Sequence, residues 1–478
     1  MISRELKNNP CAETSAMKRP DAPAGAASSE PFTSAEQSAF STPDARDIRV
    51  HTVNYAADVS GVCSALYELG GLIVMHDASG CNSTFATHDE PRWYDIDSMI
   101  YISGLTEYDA VLGGDEKYID DVLEIAEERH PRFICVFGSP VALVMGTDFR
   151  GIAHIIEKRT GIPTFSFETS GMYTYLQGAR QAFAAIADRF CTASAAASRT
   201  KINPQEGPGS PAPARPLRLN ILGVTPLDFS VVGNDTALRN FAARHGMELN
   251  SFWAMGDSLD RLSRAGAADV NLVVSSVGID AAEILYSRFG QPYVIGLPMS
   301  ETADRALAAL LRRAAEDGQN RILWEDDAPR AELLRGDRPD PDIIAAAADR
   351  IRGHQDSTVI IGESVQAASI RYVLEHDCGA PAGSVHVICP LEDSFRLLRK
   401  TDIMTDDEAA IAELINPAHR LIADPIWGNV LRKDSRTELI PLPSEAYSGR
   451  VFRADIPVFA DPAWGRVLRE SLNPQGDC

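Results

Sequence analysis

The chain predicts an α/β fold of three Rossmann-like, doubly wound parallel-sheet subdomains around a central cleft. Three observations carry this. Short apolar runs of strand length alternate with stretches of helical spacing from about residue 48 to the C-terminal region, the pattern of repeated strand–helix–strand units. A Pro/Gly/Ser-rich break at 193–216 interrupts the alternation. The 478 residues also exceed what one hydrophobic core accommodates.

In chain order, residues 1–47 are rich in Ala, Ser, Pro and Thr without periodicity and read as a disordered tail that includes Cys11. Residues 48–192 form the first subdomain, with buried strands expected at Leu72–Met75, Phe133–Phe137 and Thr164–Phe167 and a helix over Tyr118–Arg129. Residues 193–216, with five prolines among Gly, Ser and Ala, form a linker. The second subdomain, 217–310, has strands at Leu219–Leu222, Asn271–Val274 and Tyr293–Ile295, and the third, 311–478, at Val359–Ile361, Val385–Ile388 and Leu421–Ala423. Parallel sheets place ligands near the carboxyl ends of their strands.

Composition narrows the function. A formal net charge of -22 repels nucleic acid and anionic lipid, and mean hydropathy of -0.13 without a membrane-length apolar run argues against a membrane protein. The eight cysteines are widely spread and no secretory hydrophobic segment is seen, so a reducing cytoplasm fits better than a disulfide framework. Neither GxxxxGK[ST] nor a clean GxGxxG occurs. If ATP is used, another polypeptide should supply its phosphate cradle.

The most informative segment runs from Gly61 to Asp148. Gly61-Val62-Cys63 precedes a strand that delivers His76-Asp77-Ala78-Ser79-Gly80-Cys81, which places Cys81 at a strand-to-helix turn. Backbone N–H groups and a helix N-terminus there favour a thiolate and the negative charge of a thiolate-ligated cluster, and Gly80 lets the backbone approach inorganic sulfide. Two cysteines at this spacing alone are read more readily as buried structural residues. The surrounding order changes that: Cys63, then His76-x-x-x-Gly80-Cys81, then Leu105-Thr106-Glu107 through Gly113-Gly114.

This order resembles the nitrogenase component-1 superfamily, which includes the molybdenum-iron protein, its assembly scaffold and the dark-operative tetrapyrrole reductases. Further segments are similar to family framework motifs: Pro226-Leu227-Asp228-Phe229, Gly256-Asp257-Ser258-Leu259, Phe289-Gly290-Gln291-Pro292-Tyr293, Ile361-Gly362-Glu363 and Ala423-Asp424-Pro425. The resemblance implies that Cys63 and Cys81 are metal ligands of an iron-sulfur cluster at a subunit interface, with Gly61, Gly80 and Glu107 close to it. Glu107 is equally readable as a helix-start carboxylate.

The sequence departs from the family where nitrogenase has a third cysteine: Pro140 stands there, and proline cannot bind iron. Cys135 reads as a core strand residue, and Ser139 as a helix cap before an oxygen ligand. Two thiolates per chain complete a [4Fe-4S] set only across a dimer. A homodimer is expected, with a heterodimer as the alternative. No cysteine lies between Cys191 and Cys378 and no histidine beyond His419, so the anchors of a nitrogen-reducing metallocluster are missing. Cys378, Cys389, His76 and His88 read chiefly as packing or loop residues, and Trp93 and Tyr94 read equally as loop packing or as a docking surface.

What the resemblance implies is an oxidoreductase that receives electrons from an iron-protein-like ATPase, with ATP used by that partner only. The electrons would reach a small-molecule substrate, either a tetrapyrrole or a sulfur-containing compound. The alternative is a non-catalytic scaffold for metallocluster assembly.

Overall fold

The apolar runs become the inner strands of three separate sheets in the computed structural model, which describes residues 50–78, 90–192, 215–324, 340–391 and 397–472. The first sheet contains β1 (Leu72–His76), β2 (Met99–Ile102), β3 (Ile134–Gly138) and β4 (Thr164–Phe167) in the order β2-β1-β3-β4. The second contains β5 (Arg218–Leu222), β6 (Glu248–Phe252), β7 (Val270–Val273), β8 (Tyr293–Ile295) and β9 (Arg321–Ile322) in the order β6-β5-β7-β8-β9. The third contains β10 (Thr358–Ile361), β11 (Val385–Cys389), β12 (Ile403–Met404), β13 (Arg420–Ala423) and β14 (Glu438–Pro441) in the order β12-β11-β10-β13-β14. Every pairing between these strands is parallel, and an isolated bridge between Ala57 and Thr174 is antiparallel.

β2, β6, β9, β12 and β14, which the apolar runs do not announce, all lie at sheet edges. An edge strand has a paired neighbour on one side only; β2 is half-buried throughout, and in β14 only Ile440 is buried. β1, β3 and β11 are buried at every position and read as continuous apolar runs for that reason. The helix Glu301–Asp317 passes through residue 310 unbroken and feeds β9. The second sheet therefore closes at Ile322. The tail at 1–47 and linker residues 193–214 lie outside the described residues.

Among the described residues, six helices accompany the first sheet: α1 (Asp58–Leu66), α2 (Glu107–Leu112), α3 (Asp115–Arg129), α4 (Pro140–Met145), α5 (Phe149–Thr160) and α6 (Tyr175–Phe190). Alternation along the strands divides its two faces. Leu72, Val74, Ile134 and Val136 pack outward with Tyr118 and Val122 of α3, while Ile73, Met75, Cys135 and Phe137 join the main core with α1 and α6. α1 and α6 cross closely because each presents a glycine: a Cβ on Gly61 would lie 2.0 Å from the Tyr175 carbonyl oxygen, and one on Gly178 would lie 1.9 Å from that of Asp58. No helix among the described residues is long and apolar enough to cross a membrane.

Candidate functional site

Each sheet starts from an inner strand, lays the next strand on one side and then crosses to the other. The switch points therefore lie between β1 and β3, β5 and β7, and β10 and β13, where open α/β sheets bind ligands. At all three an acidic residue stands just past the carboxyl end of a strand: Asp77 after β1, Asp228 after β5, and Glu363 and Asp424 after β10 and β13. Asp77 accepts a short hydrogen bond from Ser139, and Asp228 one of 2.9 Å from Ser275, each across its switch point.

The switch points of the second and third sheets face a common cavity of about 20 Å³, room for about one water. Tyr175 of the first subdomain, Asp228 and Ser275 of the second, and Glu363 and Asp424 of the third line it. Local structure fixes each. Glu363 caps the helix Ser364–His376, accepting from the backbone N–H groups of Val365 and Gln366 at 3.0 Å, and reaches across to the Ser276 N–H at 3.1 Å. Asp424 caps the turn Pro425–Val430 and accepts from the Ser444 N–H at 2.9 Å and from the Ser448 hydroxyl.

Asp228 sits on the short helix Pro226–Phe229, capped by Thr225. Its carboxylate accepts from the hydroxyls of Tyr175 at 2.5 Å, Thr225 at 2.9 Å and Ser275 at 2.9 Å. These bonds favour the ionised form. Burial and the neighbouring Glu363 carboxylate oppose it more strongly, and no Lys or Arg lines the cavity among the described residues. The Asp228 pKa is consequently pushed up to about 7. Burial likewise raises the Asp424 carboxyl above the usual range. The result is a cluster of buried carboxyl groups where residues of all three subdomains meet.

The residues expected to hold a cluster lie at the first sheet. Cys63 falls within α1 and is fully buried, in the same core as Cys135 of β3. Burial pushes both thiols well above their ordinary range, reinforced by the Glu90 carboxylate at Cys63 and by Cys63 itself at Cys135. Ligation to iron removes that cost by replacing the proton, so the soft donor chemistry suits an iron-sulfur cluster. Cys81 and Gly80 lie outside the described residues, as does His88. No group of three or more His, Cys, Asp or Glu able to hold a metal occurs among those described.

Gly61 faces the Tyr175 carbonyl on α6, so its missing side chain serves the helix crossing. Glu107 is exposed at the start of α2, where the capping box joins Thr106 to Asp109 instead. Ser139 caps α4, with Pro140 in the first turn. His76 is buried at the end of β1 with Nδ1 2.9 Å from the Ser103 hydroxyl and its ring 4.3 Å from that of Tyr118, and burial lowers its pKa. Cys389 is buried in β11 and Cys378 is half-buried past the end of the helix Ser364–His376.

The segments leaving the carboxyl end of the first sheet carry large apolar side chains in solvent. Val111 on α2, Val144 on α4 and Met172 after β4 are 81%, 88% and 80% exposed, with Tyr108, Leu143 and Tyr173 beside them in sequence. Such a concentration marks an interaction surface.

The family model for the nitrogenase component 1 type oxidoreductase matches residues 61–335. Over 227 residues the chain is 24% identical to the nitrogenase iron-molybdenum cofactor biosynthesis protein NifE of Methanosarcina barkeri, covering 45% of this chain and 47% of that protein. It is 24% identical over 201 residues to the nitrogenase molybdenum-iron protein alpha chain of Clostridium pasteurianum, covering 42% and 34%. Over 82 residues it is 38% identical to a subunit of the light-independent protochlorophyllide reductase of Prosthecochloris aestuarii, covering 17% and 15%. The chain thus spans less than half the length of each. Among solved structures, nitrogenase Cp1 at pH 6.5 matches with a TM-score of 0.56 at 14% identity, covering 89% of this chain and 93% of that one.

Proposed function

The chain belongs to the nitrogenase component 1 type oxidoreductase family, and on that premise we propose that it is the substrate-reducing component of a two-protein system. A separate iron-protein-type ATPase supplies the electrons and consumes the ATP. Two copies associate through the exposed apolar face at the carboxyl end of the first sheet, and Cys63 and Cys81 of each would hold a shared [4Fe-4S] cluster. Such a cluster, when bound, supplies single electrons at low potential.

The observation that carries the reductase reading is the Asp228–Tyr175 contact at the water-sized cavity. Reduction of an organic double bond by single electrons consumes one proton with each electron. A carboxyl that titrates near 7 gives up a proton and retakes it at neutral pH, with Tyr175, Thr225 and Ser275 holding it in place. A tetrapyrrole is one candidate substrate class and a sulfur-containing compound the other.

The second reading, an assembly scaffold, draws support from the alignment with a cofactor biosynthesis protein. Turnover separates the two. With an iron-protein-type ATPase, ATP and reductant, a reductase oxidises the reductant continuously once its substrate class is present. A scaffold instead releases a metallocluster to an acceptor protein without multiple turnovers, and that result would displace the reductase reading.

A further inference from the structure

The turn that precedes β2 folds back on α1 and buries charge there. Arg92 is 3% exposed and Glu90 4%. The guanidinium grips Glu90 on both oxygens, with Nε 2.6 Å from Oε1 and Nη2 3.0 Å from Oε2, the two-pronged geometry that arginine makes with a carboxylate. Nη1 donates to Glu68 at 2.8 Å, and the group lies over the Tyr67 ring at 4.6 Å from its centroid. Two carboxylates and one guanidinium are thus held out of water together. Burying such a set costs much of what its attraction returns, so stability is a weak reason for it.

Its position supplies a better one. The nitrogen Nη2 that holds Glu90 also donates to the Ser64 carbonyl at 2.8 Å, and Ser64 follows Cys63 in α1. One guanidinium nitrogen therefore ties the Glu90 carboxylate to the turn that carries the thiol. The carboxylate acts on that thiol: after burial, it is what pushes the Cys63 thiol up. Glu68 is engaged elsewhere, since it accepts from the Gly256 N–H of the second subdomain at 2.7 Å. Charges this deep in the protein are little screened by salt.

We propose that Glu90, clamped as a carboxylate by Arg92, sets the reduction potential of the iron-sulfur cluster that Cys63 would hold. A fixed negative charge beside a thiolate-ligated cluster disfavours the reduced state, which carries one more negative charge, and so lowers the potential. Arg92 is the positioning residue, because it keeps the carboxylate ionised and aimed at α1. The assignment rests on the cluster reading of Cys63 and Cys81 and adds what tunes that cluster. A purely structural clamp would instead tie the turn to α1 and leave the potential alone.

The test is a redox titration followed by electron paramagnetic resonance on the anaerobically purified full chain, on Glu90→Gln and on Glu90→Asp, with iron measured in each. Glu90→Gln removes the charge at nearly constant shape. Its midpoint should move to a more positive value, by about 59 mV for a roughly tenfold higher ratio of reduced to oxidised cluster at a given potential, with iron per chain unchanged. Glu90→Asp keeps the charge and should stay close to the natural midpoint. Should Glu90→Gln not fold by circular dichroism, Glu90→Met, of similar reach and also uncharged, takes its place and should shift the same way. An unmoved midpoint in the uncharged variant, or an equal shift in Glu90→Asp, overturns the proposal. Loss of iron from folded Glu90→Gln overturns it as well, since the carboxylate would then hold the cluster instead of tuning it. A natural chain without iron overturns the cluster reading and this assignment with it, whereas iron-loaded protein with an unmoved midpoint overturns the assignment alone.

Discussion

The Tyr175 hydroxyl donates to the Asp228 carboxylate at 2.5 Å, joining the first residue of α6 in the first subdomain to the strand-end helix of the second. Glu363 of the third subdomain completes the junction through the Ser276 N–H. The bond therefore couples two properties: how the subdomains are held, and whether a proton is available in the cavity between them.

The first prediction follows from the raised Asp228 pKa. Because the folded value, about 7, exceeds the unfolded value, this group's contribution to stability is fully present below the unfolded pKa and is lost as pH rises through about 7. Asp228→Asn removes the titration. Its stability relative to the natural chain should rise between about pH 4 and pH 7 and then level off, by on the order of a few kcal/mol at the upper end. Urea unfolding of both proteins across that range tests this, and a constant difference would contradict it.

Gly61→Ala and Gly178→Ala should each lower stability by about 1–3 kcal/mol, since each new methyl group meets a carbonyl oxygen across the α1–α6 crossing. Denaturant midpoints give the loss. Iron per folded chain separates packing from cofactor contact at Gly61: a packing role leaves it unchanged, whereas a role beside the cluster lowers it.

The exposed apolar face makes a third prediction. Val144→Glu, on α4, places a charge where the side chain is now 88% exposed and should convert a dimer into a monomer without unfolding it. Light scattering coupled to gel filtration reads the mass, and a Val144→Glu protein that stays dimeric would remove this face from the interface.

What the sequence discloses, and what it withholds, has a physical pattern. Strands buried on both faces, such as β1 and β3, announce themselves as apolar runs, while β14 mixes polar and apolar residues and β2 is a short run of four half-buried residues. The motifs around Asp228, Glu363 and Asp424 are legible as framework segments, but their convergence is not, because they are brought together only by three sheets meeting at their switch points. A signal is nonetheless present: each acid follows an apolar strand run within a few residues. Tyr175 gives no signal, since a tyrosine opening a helix is ordinary. Glu90 and Arg92 give none either, because the burial of a charge is a property of its surroundings.

Cys63 and Cys81 are proposed to hold an iron-sulfur cluster between two copies of the chain, and metal content tests this directly. Iron and acid-labile sulfide should be measured per chain on anaerobically purified protein, Cys63→Ala, Cys81→Ala and, as a control for the neighbouring core thiol, Cys135→Ala. About two irons and two sulfides per chain are expected in the natural protein, as one [4Fe-4S] cluster per dimer requires, with their loss in the first two variants and their retention in the third. Unchanged iron in both Cys63→Ala and Cys81→Ala would contradict it.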